Sequence, residues 1–286
     1  MVFALLSKII IMKSTIAIFM ISAVFAVTSC KKNDLQKAEV NTTEVEAPEK
    51  FTVDSVKVND SMKINDKLSV NYTAKMLVFP TLKDKALLDS IYYDKKGISD
   101  YSKNGLQNFL DKDKTEYFSS TKEKSSEWIS DIQYKQTWES GSFMKLLSQT
   151  EDFLQIEYLF TSYEGGAHDN YSFAARVFDL KSNKKLDLKD ITTMPQARLS
   201  ELLIKNINRI PSGTTDSDGA VNNSEMLLVD IIPANNAFYF DEKNLYFHYS
   251  PYEIAAFAAG DIVIPVSWEE LKGTLNPEFK KRMKIN

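Results

Sequence analysis

Apolar and polar residues follow two periods along this chain, and the changes of period divide it into elements. Leu68, Val70, Tyr72, Ala74, Met76 and Val78 occupy every second position, the period of a strand with one buried face. Phe51, Val53, Val56 and Val58 suggest an earlier strand, and Pro80 stops the second, because proline cannot donate to a ladder. The period then lengthens. Leu87, Leu88, Ile91 and Tyr92 share one helical face, and Leu106, Phe109 and Leu110 share another. Helices are therefore predicted over 82–93 and 98–118, parted by Gly97, with 115–124 as a continuation. From Trp128 the pattern returns to strands: Ile129, Ile132, Tyr134 and Trp138, a break at Ser140-Gly141-Ser142, then 143–147, 153–161 and 171–180. Four strands in series joined by short polar turns predict an antiparallel meander.

Beyond a turn at 181–184, Leu199, Leu202, Leu203, Ile207 and Ile210 form a helical stripe over 194–210, with Pro195 near its start. Residues 211–223 read as a loop. Residues 237–240 and 245–249 read as a hairpin. Ser250 then stands as the N-cap of a short helix, with Pro251 at its first position and Glu253 completing a capping box. Gly260 is the expected stop. Ile262, Val263, Ile264 and Val266 form a further strand, Ser267 and Glu270 a second capping box, and Gly273 its end. Residues 276–286 read as a tail. The fold class expected is α+β: antiparallel sheets with helices packed on one face.

The N-terminus has a different character. Lys13 followed by an apolar run to Val27 has the charged start and short apolar core of a signal peptide. A membrane-spanning anchor is the competing reading, since the run from Ile9 to Val27 is nearly long enough to cross a bilayer. Val27-Thr28-Ser29-Cys30 resembles a lipobox, and Cys30 is the only cysteine in the chain. Lipidation at Cys30 would place the protein outside the cytoplasm as a membrane-anchored lipoprotein, of the outer membrane or cell surface, with two or more acyl chains sufficient for stable anchoring. Residues 31–50 are polar and aperiodic, a flexible linker. One cysteine allows no internal disulfide, so the core alone must hold the fold. Taking Lys8 and Lys13 from the 35 basic side chains leaves 33 against 39 acidic ones, a net charge of about −6. That excess disfavours nucleic acid, which needs a basic face, and mildly favours a cationic partner.

Two stretches carry a family resemblance. Tyr163-Glu164-Gly165-Gly166-Ala167-His168 resembles a YxGGAH signature. The run from Tyr246 through Ser250-Pro251-Tyr252-Glu253-Ile254-Ala255 and Ala259-Gly260 to Ile264-Pro265 is similar to the same family's PYEIAxxAAG…IP signature. The family is an extracytoplasmic domain of unknown function that includes the lysozyme-binding ectodomain of RsiV-type anti-sigma factors and the non-catalytic domain of PdaC-type peptidoglycan deacetylases. The resemblance covers roughly 51–271 and implies a PdaC-like subdomain over 51–180 and an RsiV-like one over 181–275. It implies a binding role at the cell envelope, with lysozyme, another envelope protein or a glycan as partner. The chain offers no stretch for a cytoplasmic anti-sigma segment or a deacetylase, so neither activity is implied.

The candidate binding residues are Pro251, Tyr252 and Glu253, with Gly165, Gly166 and His168 as a neighbouring lip. A tyrosine held on a rigid turn loses little entropy on binding. The glycine turn also has a plain structural reading, a strand connection that needs positive backbone angles. With two histidines, His168 and His248, and no HxH or HExxH spacing, no metal or cofactor is expected. An envelope hydrolase using His168 with Asp169 or Glu164 is the alternative function. Tyr246, Tyr249 and Phe257 are expected in the core.

Overall fold

The alternation of 68–78 organises the larger of two principal sheets. In the computed structural model, which describes residues 51–127 and 129–286, β1 (Asp54–Lys63) pairs antiparallel with β2 (Leu68–Val78), matching Val56 to Met76 and Val58 to Ala74. Two helices follow: α1 (Lys85–Ile91), capped by the Asp84 side chain, and α2 (Lys103–Ser125), capped by Ser102. The continuation over 115–124 is part of α2. Strand β3 (Gln136–Gln149) then lies parallel to β2. This one parallel pairing arises because a crossover of two helices returns the chain to the sheet in its original direction. The meander expected from 128 to 180 forms antiparallel, with its first two strands merged into β3. Strands β4 (Phe153–Tyr163), β5 (Asn170–Asp179) and β6 (Lys184–Lys185) continue antiparallel, so the six strands lie in sequence order.

Two local expectations at β3 fail. Residues 129–131 form a 3-10 turn instead of a strand, and Ser140-Gly141-Ser142 lies inside a continuous strand. Gly141 is there for close approach, not for a turn. A Cβ on it would fall 2.2 Å from Thr161 Oγ1 and 2.8 Å from the Phe143 ring.

The two faces of the large sheet are covered to different extents. On one, Leu87, Leu88, Ile91, Leu106 and Leu110 of the helices meet Tyr72, Met76, Ile156, Tyr158 and Phe178. Arg176 fastens α1 to this face, donating to the Ser90 carbonyl at 3.0 Å with its guanidinium 3.3 Å from the Tyr93 ring centre. On the other face, Phe153 and Val177 enter a second core supplied by the rest of the chain. This face is covered at β4 and β5, while Lys75, Glu139 and Lys145 on β2 and β3 are exposed there.

That second part begins with α3 (Leu188–Ile191) and α4 (Gln196–Asn206), the latter starting after Pro195 and running into a 3-10 turn over Ile207–Arg209. The stretch 211–223, expected as a loop, holds a small hairpin of β7 (Thr215–Asp216) and β8 (Gly219–Ala220). Strands β9 (Phe238–Phe240), β10 (Asn244–Tyr249) and β11 (Ile262–Ser267) form an antiparallel sheet with β10 central. The Gln155 amide joins the sheets: it accepts from the Phe240 N–H at 2.8 Å and donates to the Phe240 carbonyl at 2.9 Å. The capping box of Ser267 and Glu270 forms as expected at α5 (Trp268–Leu271). Burial pushes the Glu270 carboxyl up, but bonds from Arg209, Ser267 and Lys205 outweigh it and bring it to about 2.

Residues 276–286, expected as a tail, are structural. They hold α6 (Pro277–Arg282), whose Phe279 packs on Phe153, Phe240 and Trp268. Arg282 clasps Asp179 through two bonds of 2.8 Å. The segments 51–180 and 181–275 thus contribute mainly to different cores, yet the described residues form one compact unit. The expected leader, Cys30 and linker lie outside the described residues, among which no helix is long and apolar enough to cross a membrane.

Gly141→Ala is expected to destabilise the protein by about 1–3 kcal/mol, the usual cost of overpacking a tight site. Urea unfolding checks this; an unchanged midpoint would mean that Thr161 and Phe143 yield freely.

Candidate functional site

The turn between β4 and β5 builds one half of the site. Gly165 and Gly166 adopt φ of 90° and 114°, a region closed to most side chains. Gly165 is constrained by contact too, since a Cβ would stand 3.0 Å from Gln136 Oε1, the acceptor of the Trp138 indole N–H. The turn leaves His168 exposed, with Nδ1 2.7 Å from the Asp169 main-chain carbonyl. A carbonyl only accepts, so Nδ1 carries a proton, and Nε2 is the ring nitrogen turned away from this contact. The Asp169 carboxylate plays no part in this contact. His168 is paired with a backbone oxygen, unlike the imidazole of a carboxylate-oriented catalytic base.

The segment after β10 builds the other half, and its expected helix does not form. Tyr252 has φ of 65°, the left-handed region, and residues 251–254 make turns that lead through a bridge between Leu227 and Ala255 to a 3-10 helix over Phe257–Ala259. The reason lies in the Ser250 hydroxyl. It accepts from the Phe173 N–H at 2.9 Å and donates to the Phe173 carbonyl at 3.3 Å, so it serves β5 and is not available to cap a helix. Half of the expected box survives, with Glu253 Oε2 accepting from the Ser250 N–H at 2.9 Å. The other Glu253 oxygen accepts from Asn235. Gly260 ends the 3-10 helix with φ of 68°.

These two halves meet. The Tyr252 hydroxyl lies 3.4 Å from His168 Nε2, and Tyr252 is 59% exposed. Phe257 stacks on the His168 ring at 3.9 Å, with 16° between the planes, and Tyr252 lies 5.7 Å from Phe257. Beneath them Tyr171 turns its edge to Phe257, Phe173 turns its edge to Tyr171, and Phe173 stacks on His248 at 4.4 Å. His248 is buried, 2.8 Å from Asp261 Oδ2 through Nε2 and 3.8 Å from Glu157 through Nδ1. The bond from His248, against the opposing push of burial, holds the Asp261 carboxyl below its ordinary value. A ladder of rings therefore runs from the exposed Tyr252 to the buried His248.

All six residues expected as a binding lip stand in these two halves. Gly165, Gly166 and His168 form one side, and Pro251, Tyr252 and Glu253 the other. Phe257, expected as core, is instead half-buried and serves as the platform under His168. Tyr171 and Phe173 were missed; their period-2 spacing opposite Ser172 and Ala174 is the signal that places them on the site's face of β5. Among the described residues no group of three or more His, Cys, Asp and Glu is placed to hold a metal.

The segments that carry the site are acidic in composition. Between Ile210 and Leu271 the chain carries ten acidic side chains and a single cation, Lys243, although Glu270 is paired with Lys205 and Arg209 and Glu269 with Lys272. Between Tyr163 and Ala175 it carries Glu164 and Asp169 with no lysine or arginine.

Residues 189–269 match the family described as "Protein of unknown function (DUF3298)". A member of that family from Bacteroides fragilis, solved by crystallography, is similar with a TM-score of 0.66 and 20% identity, covering 82% of this chain and 98% of that one. The likeness is one of fold. A DUF3298 family protein from Pseudomonas aeruginosa aligns with a TM-score of 0.48 and 16% identity, over 80% of this chain and 96% of that one. No curated protein matches the sequence. The match includes β9 to β11 and the Tyr252 half of the site and leaves the His168 half outside it: over residues 189–269, this chain carries a DUF3298 domain.

Proposed function

We propose that this protein is a lipid-anchored recognition module of the cell envelope, and that its aromatic lip docks a basic protein, with lysozyme as the partner class implied by the family resemblance. The observation that carries this reading is Tyr252, exposed yet held in a left-handed conformation against His168 and Phe257. Solvent-facing tyrosine on a fixed backbone offers a large contact area at little entropic cost. Rings of this kind dominate protein interfaces. The acidic composition of the segments that carry the site supplies long-range attraction for a basic surface, an attraction that salt weakens.

A left-handed tyrosine costs roughly 1–2 kcal/mol that glycine avoids. Tyr252→Gly is therefore expected to unfold at or above the wild-type midpoint while binding a basic lysozyme at least tenfold more weakly in a pull-down or titration. Wild-type binding is expected to weaken as salt rises from low to moderate. No lysozyme binding at either salt, or equal binding by the variant, would remove lysozyme or the lip, respectively, from the reading.

The anchor has a separate test. Cys30→Ala is expected to move the protein from the membrane to the soluble fraction on cell fractionation; retention on the membrane would sink the lipid-anchor reading.

A further inference from the structure

The helix-covered face of the large sheet holds a second feature, across β5 from the aromatic lip. Strand register places Tyr72, Ser140, Ser162 and Asn170 side by side in one row across β2 to β5, and Ser142, Phe160 and Ser172 in the next. The row after that, Met144, Tyr158 and Ala174, lies under the helices. Alternation alone would continue large apolar residues to the end of the sheet. The chain supplies serines instead, and the volume they vacate is a groove of about 350 Å³. Lys95, from the connection between α1 and α2, and Asp113 of α2 close its side, and the same two residues border a further cavity of about 600 Å³ between that connection and α2.

The groove is rich in hydroxyls and, apart from Lys95, carries one charged group, the Asp113 carboxylate, which can accept from a ligand's hydroxyls. Lys95 is fixed by Ser142 Oγ at 2.7 Å and by Asp94 at 3.0 Å, so its charge is balanced, and the Tyr72 hydroxyl donates to Asp113. The side chains of Ser140, Ser162, Ser172 and Asn170 make no hydrogen bond to other described residues. An apolar ligand would leave these groups unsatisfied at a cost. An anion would find no uncompensated cation. A flat ring edged with hydroxyls satisfies both conditions: it can bridge side chains on strands about 4.8 Å apart and lay an apolar face near Phe160. The volume lies in the range of roughly 300–1,000 Å³ usual for small-ligand sites. We propose that this groove is a saccharide-binding site on the opposite face of β5 from the aromatic lip.

The test is titration of the full chain with maltotetraose and with chitotetraose, by calorimetry and by amide shifts in NMR spectra. At least one should bind, with shifts centred on 140–142, 160–162 and 170–172. Ser162→Leu, which restores the apolar alternation and fills the groove, should weaken that binding at least tenfold, while Tyr252→Gly should leave it within twofold. Asn170→Leu gives the same readout if Ser162→Leu does not fold. Failure of both sugars to bind at low millimolar concentration, or binding that the groove-filling variant leaves intact, overturns the proposal without touching the lysozyme reading.

Discussion

Strand β5 faces two ways, and the arrangement of the molecule follows from that. Ala174, Arg176 and Phe178 point toward the helices; Tyr171, Phe173, Ala175 and Val177 point toward the second part of the chain. A one-residue slip would exchange the two sets. It would put Arg176 into the second core and withdraw Phe173 from Ser250, so the two cores, the aromatic ladder and the serine groove all depend on one register. The register is secured from both sides, by Arg176 on Ser90 and by the Ser250 hydroxyl on Phe173.

The Ser250 bond also explains why the site has its form. A serine before Pro251 with Glu253 three residues on would ordinarily start a helix. Here the hydroxyl is used across the fold, Glu253 alone reaches back, and Tyr252 enters the left-handed region. A helix at this point would carry Tyr252 along its own axis direction; the turn lets it lean over Phe257 and His168. Backbone strain of about 1–3 kcal/mol persists only where surrounding contacts over-determine it, and here the hook on β5, the bridge from Leu227 to Ala255 and the ring stack provide those contacts.

The second part of the chain is tied to the first by polar devices as well as by packing. The Gln155 amide completes the hydrogen bonding of Phe240 at the edge of the small sheet, which also protects that edge from pairing with another chain. Arg282 closes the far end on Asp179: burial pushes that carboxyl up, and the Arg282, Ser182 and Lys181 donors override it and hold it well below the usual carboxylate range. Buried polar groups of this kind are specific because leaving either partner alone is costly.

Local periodicity determined much of this protein. It set strand β2 with its stop near Pro80, both helices of the first layer, the stripe of α4, the hairpin of β9 and β10, and the capping box at Ser267. Gly165, Gly166, His168 and Tyr252 were marked by the two family signatures they stand in, not by periodicity. Tertiary structure decided what depends on partners distant in sequence. The parallel pairing of β2 with β3, the unbroken strand through Gly141, the packed α6 and the missing helix after Ser250 each turn on a residue more than ten positions away. Phe257 reads as core in sequence and proves to be the platform of the site for the same reason: its neighbour in space, His168, lies on another strand turn. A side chain's period states which face it occupies, and only the folded chain states what stands opposite that face.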